Sequence, residues 1–468
     1  MLTLVLVLIL ILAIRCPSMA SSAGIFKRKI YDDLLSWKRD YSDRYAVMVE
    51  GARRVGKSTV VEEFAKREFK SYILIDFGNA SDFVKGLFKR YPNDLDRFFL
   101  LLASDYNVNL VEHESVIIFD EVQLYPLAYQ MVKYLVKDGR YPVIETGSMV
   151  TLKMKTRVLI PSEEITLRMN PMDFEEFQWA LGREGSLNLC RDAFERMEAL
   201  DNGVHKRLMD DFTTYMLVGG MPQAVSELIS SNDFIKVEKA KETILDLYRN
   251  DVMREDDPIL ASMYSSLPSQ LNRTRKVFSP GVVKKGTKSR TYIRRASWLK
   301  ESGLVNPCIL CTDPDPALDQ FEDVSAFKPY LVDTGLLLTM CIRSNMADRQ
   351  EIYREILAGR LGMNKGMFFE NMVAQTLVAN GVRLHYYMFE DSGRKYELDF
   401  LMADGKRLVP IEVKSGRSGS HPSLDAFMGR NRRRAKVGYV VHSKNLRVEG
   451  DVVYLPIYLL WLLGRRPA

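Results

Sequence analysis

Eight residues near the start of the chain, Gly51-Ala52-Arg53-Arg54-Val55-Gly56-Lys57-Ser58, match G-x(4)-G-K-[ST] at every fixed position. Glycines let backbone N–H groups wrap phosphates, the lysine reaches the terminal phosphates, and the following hydroxyl can ligate magnesium. Gly51, Arg53, Arg54, Val55, Gly56, Lys57, Ser58 and Thr59 are therefore candidate nucleotide-binding residues, with Lys57 also catalytic and Ser58 also a metal ligand. ATP and Mg2+ are the expected cofactors. Farther along, the apolar run Val116–Phe119 ends in Asp120 and Glu121. Asp120 is placed to hold the magnesium, directly or through water, and Glu121 to polarise the attacking water as general base. Thr146, ending the run Val143–Thr146, can hold the γ-phosphate or the water, although a turn role fits it nearly as well. Arg157 and Arg168 are the candidates for an arginine finger.

A second group lies near the C-terminus: Glu370 on a predicted helix, Asp399 in a strand, then Glu412-Val413-Lys414. Asp404-Gly405 is a hairpin signal. Folding there brings Asp399 and Glu412 close, with an expected stagger of about two residues. Alternation of side chains puts Glu412 and Lys414 on one face. Two carboxylates could then hold a magnesium ion beside a lysine that activates water, which is the equipment of phosphodiester hydrolysis. These residues resemble the PD-(D/E)xK nuclease core, which implies Asp399, Glu412 and Lys414 as its signature and Glu370 as its helical acid. Leu398 stands where that pattern often has proline. A charged, wetted strand edge is the competing reading.

The elements that must position these groups follow two periodicities. Ala46–Val49, Tyr72–Phe77, Val116–Phe119 and Val143–Thr146 read as strands separated by helical patterns, which implies βαβ units and a parallel sheet covered on both faces. Tyr72–Phe77 lies between the two nucleotide motifs in sequence, as expected where an extra strand intervenes. Residues 183–260 read as helical, broken by a turn at Gly219-Gly220-Met221-Pro222. In the last hundred residues a helix near Phe368–Asn380 precedes strands at Leu398–Met402, Leu408–Lys414 and Val437–His442.

Composition sets the frame. A chain of 468 residues exceeds one core, and its net charge of +6 matters less than where the charge lies. Residues 271–300 hold ten Lys or Arg and no acid, which suits an anionic partner, with nucleic acid contact and a solvated face about equally weighted. Arg430, Arg432, Arg433, Arg434 and Lys436 form a second basic cluster suited to a phosphate backbone. Five cysteines point to a reducing compartment, and Cys308-x-x-Cys311 reads as two strand thiols, since no partner pair sits at zinc spacing. Leu2–Ile14 is almost wholly apolar, shorter than the ~20 residues that span a bilayer, and lacks the positive charge that precedes a secretory core. It is either a weak membrane anchor or a start assigned too far upstream with Met19 as the true first residue, the second being expected.

Gly-Ala-Arg-Arg-Val-Gly-Lys-Ser-Thr, Phe-Asp-Glu-Val-Gln (119–123), Glu-Thr-Gly-Ser (145–148) and Pro-Met-Asp-Phe-Glu-Glu-Phe (171–177) resemble the prokaryotic AAA-type ATPases with a C-terminal domain of unknown function. Gly-Gly-Met-Pro (219–222) and Asp-Thr-Gly-Leu-Leu (333–337) resemble that second domain. The resemblance spans roughly residues 26–460 and implies ATP binding. The expected fold is α/β: an apolar leader over 1–25, an AAA-type P-loop core over 26–180, a helical lid over 181–262, a basic winged-helix-like module over 263–344 and a restriction-endonuclease-like domain over 345–468. An ATP-driven, cytoplasmic machine acting on DNA is the leading expectation. The alternatives are a nucleotide-gated DNA- or protein-binding regulator with an inactive nuclease fold, and a membrane-associated ATPase resting only on Leu2–Ile14. Many AAA-type proteins complete their sites across subunits, so the resemblance allows a homo-oligomer.

Overall fold

Continuous apolar runs rather than alternating ones mark the first sheet, because a parallel sheet is buried on both faces. Ser115–Asp120 and Val143–Ser148 are buried at every position. The computed structural model describes residues 25–148, 163–283, 290–343, 349–357, 365–416 and 420–464. Leu2–Ile14, Met19, Arg157, Lys284, Lys285 and Lys288 lie outside the described residues. Two compact units divide the chain, one comprising Ala23–Asn170 with Glu301–Gly303, the other Pro171–Lys300 and Leu304 onward. Phe174–Ala180, a helix with an Asp173/Glu176 capping box, packs with the second unit.

In the first unit β1 (Ala46–Gly51), β2 (Ser71–Asp76), β3 (Ser115–Asp120), β4 (Val143–Ser148) and β5 (Glu164–Arg168) form a sheet ordered β2-β3-β4-β1-β5, with every pair parallel. The strand between the P-loop strand β1 and the acidic strand β3 is therefore β4. Tyr72–Phe77, expected to intervene, sits at the edge as β2. Parallel order follows crossover connections rather than sequence order, so β4 could only be placed by its pairing with both neighbours. Phe64 and Val61 of the Lys57–Glu68 helix pack on one side, and Phe77, Phe88, Phe98 and Phe119 form an aromatic cluster on the other.

The second unit combines helices with an eight-stranded sheet. Its strands are β6 (Val305–Cys311), β7 (Glu322–Leu331), β8 (His385–Asp391), β9 (Arg394–Asp404), β10 (Arg407–Lys414), β11 (Gly438–His442), β12 (Arg447–Glu449) and β13 (Val452–Pro456), in the order β12-β13-β11-β10-β9-β8-β6-β7. β6 pairs with β8 in parallel, so the expected boundary at 344/345 runs through one sheet. Cys308 and Cys311 are free, buried thiols in β6. The Gly219-Gly220 turn and Asp333 form a structural clamp. Gly220 N donates to Asp333 Oδ2 at 2.6 Å, and a Cβ at Gly219 would stand 2.2 Å from Asp333 Oδ1. A Cβ at Gly335 would stand 2.4 Å from Val218 O, so these glycines permit backbone contact rather than chemistry. Among the described residues no helix is long and apolar enough to cross a membrane.

Candidate functional site

The P-loop begins where β1 ends and closes at the N-terminus of the Lys57–Glu68 helix, whose positive dipole end suits an anion. Arg54 (φ 66°) and Gly56 (φ 99°) both lie in the left-handed region, the alternation that turns successive N–H groups into a concave nest. The two motif glycines do different jobs. Gly56 supplies a positive φ, while Gly51 makes room for a neighbour, since a Cβ there would meet Met169 O at 2.2 Å. Val55 is wholly buried, Arg53 half-buried, and Arg54 and Thr59 exposed. Lys57 is 5% exposed, and its ammonium donates to Gly51 O (3.3 Å) and Ala52 O (3.0 Å), so the loop's own carbonyls hold it. Burial pulls the Lys57 ammonium below its usual value, opposed by the charges of Glu121 and Asp120.

Asp120 is where the two halves meet. Its Oδ1 accepts from Ser58 Oγ at 2.6 Å and from Thr146 Oγ1, whose oxygen also accepts Glu121 N at 3.1 Å. Thr146 is thus bonded to Asp120 and to the backbone of Glu121, through the strand pairing that places β4 beside β3. Glu121 has φ 53°, a strained conformation for a non-glycine residue and one that clusters at functional sites. Gln123 Nε2 donates to Glu121 and reaches Ser148 Oγ at 3.5 Å. The sequence assigns no role to Gln123 or Ser148, although they close the motifs Phe-Asp-Glu-Val-Gln and Glu-Thr-Gly-Ser. The side chains fit a nucleotide with Mg2+: Ser58 and Asp120 offer adjacent oxygens, and Lys57 is a cation resting on carbonyls alone. Arg168 ends β5, exposed and in register with Glu50. Its described surroundings include no bond to the P-loop.

On the opposite face of β4, Glu145 is fully buried. Burial raises its carboxyl well above the ordinary value, and the neighbouring Glu164 carboxylate, also pushed up by burial, raises it further.

In the second unit the hairpin at Asp404-Gly405 forms as expected, with Gly405 at φ 56°. Ile411 pairs with Phe400, so continuing the register by one residue puts Glu412 opposite Asp399. The expected stagger of two residues is corrected to none, because a two-residue turn fixes the register. Asp399 Oδ2 accepts Val413 N at 2.8 Å, and Lys414 Nζ donates to Glu412 Oε1 at 2.8 Å. Burial pushes the Asp399 carboxyl up to about 8, helped by the charges of Glu370 and Glu412. Glu412 is raised by burial and lowered by Lys414. Glu412 Oε2 is buried with no hydrogen-bond partner. That orphaned oxygen and the excess negative charge fit a divalent cation held by Asp399 and Glu412.

Glu370 does not fit the same ion. One of its oxygens pairs with Lys276 Nζ at 2.5 Å and the other accepts Tyr330 OH at 3.0 Å. Lys328, 1% exposed, pairs with Glu397 at 2.7 Å, and the Asp399 and Glu370 charges hold it further in the cationic form. The helical acid lies beside the other two carboxylates, bonded to Lys276 from the 271–300 stretch and to Tyr330 of β7. Among the described residues, the group of His, Cys, Asp and Glu whose ligand atoms lie within 4.8 Å of one another is Asp319, Glu322 and His385. Arg383 pairs with Glu322 there at 2.6 Å.

Basic residues of 271–300 divide. Arg295 pairs with Asp257 at 2.7 Å and Lys276 with Glu370, whereas Arg273, Arg275 and Arg294 are exposed. In the second cluster Arg434 pairs with Asp315 at 3.1 Å and Arg430 donates to Glu390 O at 2.6 Å, leaving Arg432, Arg433 and Lys436 exposed.

Residues 43–178 match the family model described as AAA domain. With the all-parallel sheet and the P-loop geometry, this match supports a P-loop AAA-type ATPase core. Residues 209–348 and 365–460 match two models described as domains of unknown function (DUF8612 and DUF4143). No curated protein matches the chain. Among solved structures, a Walker-type ATPase of Pyrococcus abyssi is similar at 16% identity and TM-score 0.41, covering 70% of this chain and 99% of that one. C. elegans PCH-2 is similar at 14% identity and TM-score 0.25, over 47% and 70% of the two chains. A signal-transduction ATPase with a tetratricopeptide-repeat sensor from Pyrococcus horikoshii is similar at 12% identity and TM-score 0.25, over 79% and 50%.

Proposed function

We propose that the AAA-type domain binds and hydrolyses ATP with Mg2+ and is coupled to a metal-dependent, nuclease-like second unit that acts on DNA. The convergence of Ser58 and Thr146 on Asp120 Oδ1, with Glu121 beside it, carries the hydrolytic half. Magnesium, when bound, would draw charge from the phosphates. Lys57 exchanges its two carbonyl partners for phosphate oxygens, and the nest keeps its N–H groups aimed at them. Gln123 holds the Glu121 carboxylate in a fixed direction, from which it takes a proton from the attacking water. Thr146 fixes the backbone from which Glu121 projects.

The nuclease-like half rests on the orphaned Glu412 Oε2 opposite Asp399. A divalent cation there would act as the Lewis acid for phosphodiester hydrolysis. Asp399 and Glu412 would hold it, and Lys414 would orient water beside them. The exposed Arg273, Arg275, Arg294, Arg432, Arg433 and Lys436 support contact with a phosphate backbone, as does a winged-helix-like reading of the basic helices ahead of the β6–β7 hairpin. A cytoplasmic setting and a homo-oligomer belong to the same reading. A second reading is favoured by the bonds of Glu370 to Lys276 and Tyr330: a nucleotide-gated DNA- or protein-binding regulator whose nuclease fold no longer cuts.

One experiment separates the two. Supercoiled and single-stranded DNA are incubated with the protein in Mg2+ or Mn2+, with and without ATP, beside Glu412→Ala and Lys414→Ala. Cleavage lost in both variants supports the nuclease. Absence of cleavage by protein that hydrolyses ATP moves the assignment to the regulator, and absence of both activities rejects the proposal.

A further inference from the structure

Arg28 precedes the Ile30–Asp40 helix and lies far in sequence from the P-loop, yet it is 5% exposed and two of its guanidinium nitrogens donate to backbone carbonyls. Its Nη1 donates to Val55 O at 2.7 Å, and its Nη2 donates to Asn170 O at 2.6 Å. Val55 is the residue before Gly56 inside the phosphate-binding loop. Asn170 directly follows Met169, whose N–H donates to Glu50 O at 2.8 Å and whose carbonyl lies against Gly51. One planar fork therefore ties the middle of the P-loop to the segment that packs on its first glycine. Only a guanidinium presents two parallel donors in a fixed fork, and a lysine at this place could serve one carbonyl well and not both.

We propose that Arg28 is a positioning residue for the nucleotide phosphates, a reading that rests on ATP binding at the P-loop. In a trans peptide the carbonyl and the following N–H point in opposite directions. A cation that pins Val55 O from one side thereby aims the Gly56 N–H to the other, the side on which a P-loop cradles phosphate. The charged partner on the carbonyl also polarises that peptide, which strengthens the N–H as a donor. The need is specific to this loop: Arg54, at φ 66°, holds a conformation that a residue with a side chain keeps only when its surroundings enforce it. Lys57 fastens the loop at Gly51 and Ala52, but a phosphate would compete for that lysine. Arg28 touches the side of the peptide remote from the nest, so it keeps its grip whether or not nucleotide is bound.

The test uses the full chain with Arg28→Met and Arg28→Lys, steady-state ATP hydrolysis, and the Kd of ATP and ADP. Loss of a charge-assisted contact behind the loop predicts that Arg28→Met raises KM and both Kd values about tenfold while kcat at saturating ATP stays near wild type. Arg28→Lys is expected to show a smaller rise, roughly threefold, because one of the two carbonyls is regained. A merely structural role would lower the fraction of active protein, seen as reduced kcat at unchanged KM, and that result overturns the proposal. Wild-type KM in a folded Arg28→Met overturns it as well, and if that variant does not fold, an unchanged KM in Arg28→Lys does the same. A wild-type chain that binds no ATP fails the P-loop reading itself, and Arg28 as a phosphate-positioning residue falls with it.

Discussion

Gly51→Ala tests whether the first glycine of the P-loop serves the phosphates or the fold. An added Cβ would stand 2.2 Å from Met169 O and 3.2 Å from its carbonyl carbon, both backbone atoms that no side-chain rotation can clear. Reaching ordinary contact requires a shift of roughly 1 Å. Such overpacking typically costs about 1–3 kcal/mol. Moving Met169 also strains its 2.8 Å bond to Glu50 O, which adds about 0.5–1.5 kcal/mol if it is lost. A total of roughly 2–4 kcal/mol in a unit of this size lowers Tm by about 5–15 °C. Calorimetry without nucleotide is the assay, with Gly56→Ala as the comparison. Gly56 at φ 99° is strained by any side chain, at about 1–2 kcal/mol, so that variant should melt closer to wild type. The reasoning is refuted if Gly51→Ala melts within about 2 °C of wild type and loses ATP affinity alone.

Glu121→Gln keeps the site's shape and removes its base, so nucleotide binding should persist while turnover falls by about a hundredfold or more, and normal turnover removes Glu121 from that role. Glu145 holds its proton in the fold well above the unfolded value, so its contribution is fully present in acid and is lost as pH rises from about the ordinary glutamate pKa upward. Urea midpoints of the wild type should therefore fall from pH 5 to pH 8, and Glu145→Gln, which keeps a donor toward Glu164, should flatten that slope. Lys241 is wholly buried, bonded to Leu217 O at 2.8 Å, Gly335 O at 3.3 Å and Tyr353 OH at 2.6 Å and paired with Glu238. Lys241→Ala leaves that carboxylate buried without its cation, and equilibrium unfolding should show a loss of about 3–5 kcal/mol.

The candidate nucleotide site was legible because it is local. Gly51 to Ser58 are consecutive, and the loop conformation is written in residues that tolerate it, so a spacing rule suffices. Asp120, Glu121 and their strand were also readable, since an apolar run ending in two acids has few other uses beside a P-loop. Sequence alone likewise placed Asp399 and Glu412 on one hairpin, because Asp404-Gly405 sets the turn. The register was misjudged by two residues, an error that only the observed pairing Ile411↔Phe400 corrects.

What remained hidden depends on which strands become neighbours. β4, not β2, stands between β1 and β3, and that order brings Thr146 onto Asp120. Arg28 reaches Val55 across 27 residues and Asn170 across 142, distances over which no periodicity carries information. The same holds for Lys276, drawn from a stretch read as a nucleic-acid face and found on Glu370, 94 residues on. Local sequence determines the turn, the cap and the strand because those are decided within a few residues. Partners of a buried charge are decided by the whole packed unit, which must bring some opposite charge to it and leaves no trace in spacing of which one it is.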